Sequence, residues 1–293
     1  MTLRKVLTLV VAASLAAATL ALTGCGPKST PQGSGSTTSS LSGALNIEGS
    51  DTIVNMAQAW AEKFQTDNPN VTISVKGGGS GNGIAALING TVDFADASRE
   101  IKPEEIDQAK KNNVDPVATV VAKDGISVVV NPANTMSDIT IDQLGKVYRG
   151  EITNWKDLGG ADKPIVLLGR DTSSGTYEFF QTAVVGKDKK YAKTMRNLGS
   201  NQEIVAEVEG NPNAIGYVGL GYAQQAGDKV TRLKVNGVED TVANVKSKSY
   251  PLSRDLYMYS NGQPRDLGKA YIDWILGTDG QKVVQDQGFV TVD

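Results

Sequence analysis

The sequence predicts an α/β fold. Short runs rich in Val and Ile alternate with stretches whose apolar residues recur at helical spacing, beginning near residue 44. Strands and helices take turns along the chain, instead of clustering by type. No repeat of fixed period runs through it, so a solenoid is not indicated. A chain of 293 residues is long enough for two modest lobes sharing a cleft.

The elements follow in order. Leu45-Asn46-Ile47 reads as a strand. Ile53, Val54, Met56, Ala57, Trp60 and Phe64 recur at helical spacing and predict a helix over 52–67. Val71, Ile73 and Val75 alternate as a half-buried strand does. Ile84 to Ile88 opens another helix, and Val92 to Ala95 is a short strand. Pro103, Glu104 and Glu105 mark a helix start, with proline in the first turn and acids at the positive dipole end. Val117–Val121 and Ile126–Val130 are two β-branched runs. Helices are expected at 141–149, 176–185, 202–209 and 265–276, with strands at 165–168, 215–218 and 256–260 between them. Mainly parallel sheets are expected from this order.

Composition excludes several functions. The chain has no histidine and one cysteine, so no Ser-His-Asp triad, Cys-His pair, HExxH zinc site or internal disulfide can form. Lys plus Arg total 29 and Asp plus Glu 32, a net charge of −3, which argues against a nucleic-acid partner. No carboxylate cluster has metal-ligand spacing, so neither a metal nor a cofactor is expected. Without a base or a metal, ester hydrolysis is disfavoured.

The N-terminus has its own logic. Arg4 and Lys5 precede an uncharged apolar run from Val6 to Leu22, the order of a secretory signal segment. Its end, Leu22-Thr23-Gly24-Cys25, resembles a bacterial lipobox. That resemblance implies a signal peptide over 1–24, cleavage before Cys25, and lipid on its sulfur and amino group. Two or more acyl chains suffice for stable anchoring. From Gly26 to Gly43 every residue except Lys28, Gln32 and Leu41 is Gly, Ser, Thr or Pro. Such a segment buries little, so 25–43 reads as a lipidated cysteine on a flexible tether of roughly 23 Å reach.

Three segments place small hydroxyl residues where a helix begins. They are Gly49-Ser50-Asp51-Thr52, the glycine-rich stretch Gly77–Gly83 containing Ser80, and Arg170-Asp171-Thr172-Ser173-Ser174-Gly175-Thr176. A helix start leaves backbone N–H groups without partners and carries positive dipole charge, which suits an oxyanion. Ser and Thr add hydroxyl donors, and Arg170 could donate in pairs. Ordinary capping explains any one segment taken alone. None matches GxGxxG or GxxxxGK[ST], and no GxSxG surrounds Ser80 or Ser174.

Taken together these segments resemble the phosphate-binding lipoproteins of phosphate ABC importers, the PstS family. The matching stretches also include Asp93–Arg99, Gly150–Trp155, Asn213–Tyr217 and Tyr250–Arg254. The resemblance implies a two-lobe type II periplasmic-binding-protein fold with two hinge crossings, near Ile126–Asn131 and Leu252–Tyr259. One lobe would be 44–127 with 256–293, the other 128–255. It implies phosphate ligands at Ser50, Asp51, Thr52, Ser80, Ser98, Arg99, Arg170, Ser174, Gly175 and Thr176. In relatives an aspartate near Ser98 accepts the proton of phosphate; here Asp51 or Asp96 could serve, or Arg99 could mark a different reading of the anion. The implied partners are inorganic phosphate, ABC permease subunits and the membrane through the N-terminal lipid, for a monomer outside the cytoplasm. Another tetrahedral oxyanion (sulfate, molybdate or a phosphonate) on the same fold, or a surface sensor or adhesin, are the alternatives.

Overall fold

The structure, a computed structural model, describes residues 41–292. The signal segment, Cys25 and nearly all of the tether lie outside the described residues. The chain opens with β1 (Gly43–Gly49), α1 (Val54–Asp67), β2 (Val71–Lys76), α2 (Ser80–Ile88), β3 (Phe94–Ala97) and α3 (Pro103–Lys111). α1 buries Met56, Ala57, Trp60, Ala61 and Phe64, the face that its apolar spacing predicts. α3 carries Glu104 and Glu105 in its first turn and Lys110 and Lys111 in its last, matching the helix dipole at both ends.

A single strand, β4 (Pro116–Val130), takes in both β-branched runs. After it come β5 (Asp138–Ile139), α4 (Ile141–Arg149), β6 (Val166–Arg170) and α5 (Gly175–Phe180), which continues as a π-helical turn over Gln181–Val185. Thr140 caps α4 by accepting from Gln143 N at 3.1 Å, while Gln143 Oε1 accepts from Thr140 N at 2.9 Å. The remainder is β7 (Arg196–Leu198), α6 (Asn201–Gly210), β8 (Ala214–Gly219), α7 (Leu220–Ala226), β9 (Thr231–Val235), α8 (Val242–Lys246), β10 (Ser253–Asn261), α9 (Asp266–Leu276) and α10 (Thr278–Asp286).

The strands form a ten-stranded sheet in the order β2-β1-β3-β10-β4-β8-β6-β7, with β9 pairing β4 and β5. The expectation of mainly parallel pairing needs correcting. β1–β2, β1–β3, β5–β9, β6–β7 and β6–β8 are parallel, but β10 is antiparallel to β3 and β4, and β4 is antiparallel to β8 and β9. Every antiparallel ladder involves β4 or β10. These two strands run through the middle of the sheet, linking a parallel group on each side.

β4 changes partner part-way along. Residues 116–125 pair with β10, and 126–130 pair with β8. Side chains alternate along 126–130, and a register shift against β10 at Leu256/Tyr257 turns the adjacent Val121 and Ala122 to one core, so β4 serves two cores at once. Val121, Ala122 and Val129 join a core with Trp60 and Phe64 of α1 and Tyr271 and Ile275 of α9. Ile126, Val128 and Val130 join a second core with Leu144 and Tyr148 of α4, Phe180 and Tyr217. A smaller cluster holds α2 against β3 through Ile84, Leu87, Ala95, Ala97 and Tyr259.

Candidate anion-binding site

Strand ends bring the three hydroxyl-bearing segments together. Ser50, Thr52, Ser80, Ser98, Ser174 and Thr176 are all buried. Their oxygens form a chain: Thr52 Oγ1 to Thr176 Oγ1 at 2.7 Å, Thr176 Oγ1 to Ser98 Oγ at 3.5 Å, and Ser98 Oγ to Ser80 Oγ at 3.2 Å. Ser98 N donates to Ser80 Oγ at 3.0 Å, and Thr52 N donates to Ser50 Oγ at 3.2 Å. Each hydroxyl can donate or accept, so the chain satisfies itself and can also redirect its protons to an anion. Ser174 caps α5, accepting from Tyr177 N at 3.4 Å.

Two loops meet over this cluster. Gly81 N donates to Ser173 O at 3.0 Å, and Ser173 Oγ donates to Gly78 O at 3.0 Å. Gly79 has φ of +107°, and a Cβ there would lie 2.6 Å from Ser173 O, so both backbone and space demand glycine. A Cβ on Gly175 would collide with Ser80 Oγ and stand 2.8 Å from Ser98 Oγ. The absence of side chains at 79 and 175 is what lets the two walls touch.

Arg170 supplies the charge. It is the last residue of β6 and is 1% exposed. Its Nη2 donates to Gly199 O at 2.6 Å and lies 3.2 Å from Asp51 Oδ2, while Nε donates to Leu198 O at 3.4 Å. Nη1 is buried without a partner. A buried guanidinium nitrogen left unpaired is costly, which points to a ligand oxygen as its natural complement. Behind Arg170 stands an aromatic block. Tyr217 stacks on Phe180 at 3.9 Å, Tyr148 meets both edge-on, and Tyr217 Oη accepts from Arg170 N at 3.3 Å. Burial pushes the Tyr217 hydroxyl up to about 12, so it stays protonated.

Asp51 is held as firmly as Arg170. Its Oδ2 accepts from Asn201 N at 3.0 Å and Asn201 Nδ2 at 2.9 Å, besides facing Arg170. Its backbone carbonyl accepts from Tyr222 Oη at 2.8 Å. The carboxylate therefore supports the arginine, and Asn201, at the start of α6, fixes the carboxylate.

Comparison with known proteins decides the family. A profile described as a PBP superfamily domain matches residues 31–279. The phosphate-binding protein PstS of Bacillus subtilis is 35% identical over 256 residues, spanning 86% of this chain and 81% of that protein. The chain belongs to the PstS family. Its structure is similar to that of a Clostridium perfringens substrate-binding protein, assigned to a phosphate ABC transporter and crystallised with bound phosphate (35% identity, 86% of this chain, 100% of that chain, TM-score 0.79). It is also similar to an ABC-type phosphate transport receptor from Vibrio cholerae (28% identity, 84% of this chain, 99% of that chain, TM-score 0.71). The fold is the two-lobe α/β type II periplasmic-binding-protein fold, and the chain is a binding protein, not an enzyme.

Within the PstS framework, the residues expected at the site divide into two groups. Ser50, Thr52, Ser80, Ser98, Arg170, Ser174, Gly175 and Thr176 come together, with Asp51 beside Arg170. Arg99 is already engaged elsewhere. Its Nη1 and Nη2 donate to Glu105 at 2.8 and 2.7 Å, Nη1 also to Glu100 O at 2.9 Å, and Nε lies 2.7 Å from Glu178. Burial works against the Arg99 charge, but the Glu105 hydrogen bonds and the Glu178 and Glu105 charges outweigh it and hold its pKa above the usual arginine value.

Asp96 does not join the hydroxyls. Its Oδ1 is buried without a partner, and no hydrogen bond links its carboxyl to Ser98 or Thr52 among the described residues. Desolvation pushes its pKa up to about 8. Its neighbour is Tyr271 of α9, whose own unpartnered hydroxyl is pushed up by burial and then by Asp96. On a continuous strand Asp96 and Ser98 would share a face, but β3 ends at Ala97, between them.

Two further charged residues, Arg254 and Asp124, are buried at the site's border without a local sequence signal. Arg254 on β10 donates through Nε and Nη2 to Asp124 Oδ2 at 3.0 and 2.7 Å and through Nη1 to Ser98 O at 2.9 Å. Asp124 Oδ1 accepts from Leu220 N at 2.9 Å. Burial pulls against both charges, raising the Asp124 pKa and lowering that of Arg254. Arg254 ends the Tyr250–Arg254 stretch, but nothing in the sequence names its partner. Beside the cluster a groove of about 860 Å³ opens between Lys102, Glu178, Phe179 and Arg254. No group of side chains able to hold a metal occurs among the described residues.

Proposed function

We propose that this chain captures inorganic phosphate outside the cytoplasm, in the cleft between its two lobes, and delivers it to an ABC importer. The observation that carries this reading is the buried Arg170, paired with Asp51 next to Thr52 and left with Nη1 unpartnered, together with the chain of buried hydroxyls. The bound phosphate named for the C. perfringens relative and the transport role named for the V. cholerae relative support it. Phosphate oxygens would accept from Arg170, from the Ser50, Thr52, Ser80, Ser98, Ser174 and Thr176 hydroxyls, and from N–H groups at the start of α5. These donors replace the water that the anion gives up. Most are uncharged, so an acidic protein can hold a small anion.

Lobe boundaries at 44–127 with 256–293, and at 128–255, fit the change of partner along β4 after Gly125. The ligand donors come from both sides of that division, so binding favours closure. Asp51 fits a supporting role for Arg170, and Arg99 one outside direct ligation. We further propose that Cys25 is lipidated and that the protein is a tethered monomer. Calorimetry with phosphate, sulfate, molybdate and a phosphonate tests the reading. Saturable binding of phosphate well above the others is expected, and a preference for another oxyanion would replace it.

A further inference from the structure

We propose that Glu178 is a positioning residue for phosphate capture, an ionic latch that holds the Ser174–Thr176 turn against the Ser80–Ser98 wall through Arg99 and Lys102. This rests on the capture reading above. Glu178 lies one turn beyond the Ser174 cap on α5. Its Oε2 is 2.7 Å from Arg99 Nε and 2.9 Å from Lys102 Nζ. Arg99 follows Ser98 directly in the opposite wall.

The cationic side of the latch is built to stay still. Arg99 is clamped by both oxygens of Glu105 and by Glu100 O. Lys102 N donates to Glu105 Oε2 at 2.9 Å, which ties the same platform to the first turn of α3. Two cations face two carboxylates, and Glu178 is the one supplied from α5. If α5 moves away, the platform keeps Glu105 but loses half of its compensating charge.

Partial burial sets the strength. Side-chain exposure is 6% for Arg99, 18% for Glu178 and 37% for Lys102. Such a pair is worth more than an exposed one, yet ions can still reach it through the adjoining groove, whose lining includes Arg99, Lys102 and Glu178. On the other flank of the hydroxyl chain, Asp51 joins Arg170 at 3.2 Å. The hydroxyls between these two joins are uncharged, so the ionic contacts supply much of the electrostatic grip between the walls. A latch that engages after the ligand arrives slows release without changing arrival.

The test is rapid-mixing kinetics with inorganic phosphate on the full chain, at low and high salt, for wild type, Glu178→Gln and Lys102→Met. The dissociation rate should rise about 10-fold in Glu178→Gln and about 3-fold in Lys102→Met, with association within about 2-fold of wild type. Wild-type dissociation should quicken with salt, and that dependence should be clearly smaller in Glu178→Gln, which keeps only the Asp51–Arg170 join. Unchanged dissociation, or a salt dependence as steep as that of wild type, would overturn the latch and leave the capture reading standing. If Glu178→Gln does not fold, Lys102→Met and the wild-type salt dependence decide the matter. A wild-type chain that takes up no phosphate would overturn both.

Discussion

At position 175 a methyl group has no room beside Ser80 Oγ and Ser98 Oγ. Gly175→Ala should therefore keep the fold but hold the walls apart, weakening phosphate binding by about 10-fold or more in a calorimetric titration. Replacing Arg170 with Met removes the charged donor and leaves Asp51 without its partner. A loss of about 3 kcal/mol in phosphate binding is expected, roughly 100-fold in Kd. Asp96 makes a prediction of a different kind. Its folded pKa is raised to about 8 from 3.8, so the folded state keeps a proton that the unfolded state gives up. Its contribution to stability is intact below about pH 4 and is lost as pH rises toward about 8. Asp96→Asn should remove that decline and make the protein more stable than wild type at pH 8, by a few kcal/mol in denaturant titrations. The hydroxyl residues were legible because Ser and Thr beside glycine at helix starts form a local pattern. Asp96 was not, because its direction depends on where β3 ends and on α9, which comes far later in the chain.

Among the elements, β4 shows most clearly where the sequence falls short. Val117–Val121 and Ile126–Val130 read as separate runs because Lys123, Asp124 and Gly125 interrupt the β-branched pattern between them. The strand continues because Arg254 lies directly opposite Asp124 on β10 and takes up its charge. With Asp124 fully buried, removing one partner strands the other. Asp124→Asn or Arg254→Met should cost about 3–5 kcal/mol of stability, seen as a lower thermal midpoint. The long amphipathic helices were readable: α4 spans the expected residues 141–149, and α1, α6 and α9 fall within a residue or two of expectation. α7, α8, α10 and the short strands β5, β7 and β9 were not anticipated. Short elements carry too few residues for periodicity to register, and their positions are set by tertiary packing. The parallel bias failed for a related reason, since βα order says nothing about two strands that cross through the middle.

For the whole molecule, the lone cysteine and the missing histidines have complementary meanings. A chain with no histidine and no thiol beyond a lipidation candidate suits holding an anion unchanged, and the family is one of binding proteins. If Cys25 is the anchor, Cys25→Ser should move the protein from the detergent phase to the aqueous phase in a temperature-induced phase separation. In the proposed function, the buried hydroxyls and Arg170 form a phosphate site that closes over its ligand. Its most direct test is the anion content of protein purified without added phosphate and then denatured. Phosphate should be released in proportion to protein and should persist through dialysis against sulfate. Release of no anion, or of sulfate in place of phosphate after that dialysis, would contradict it.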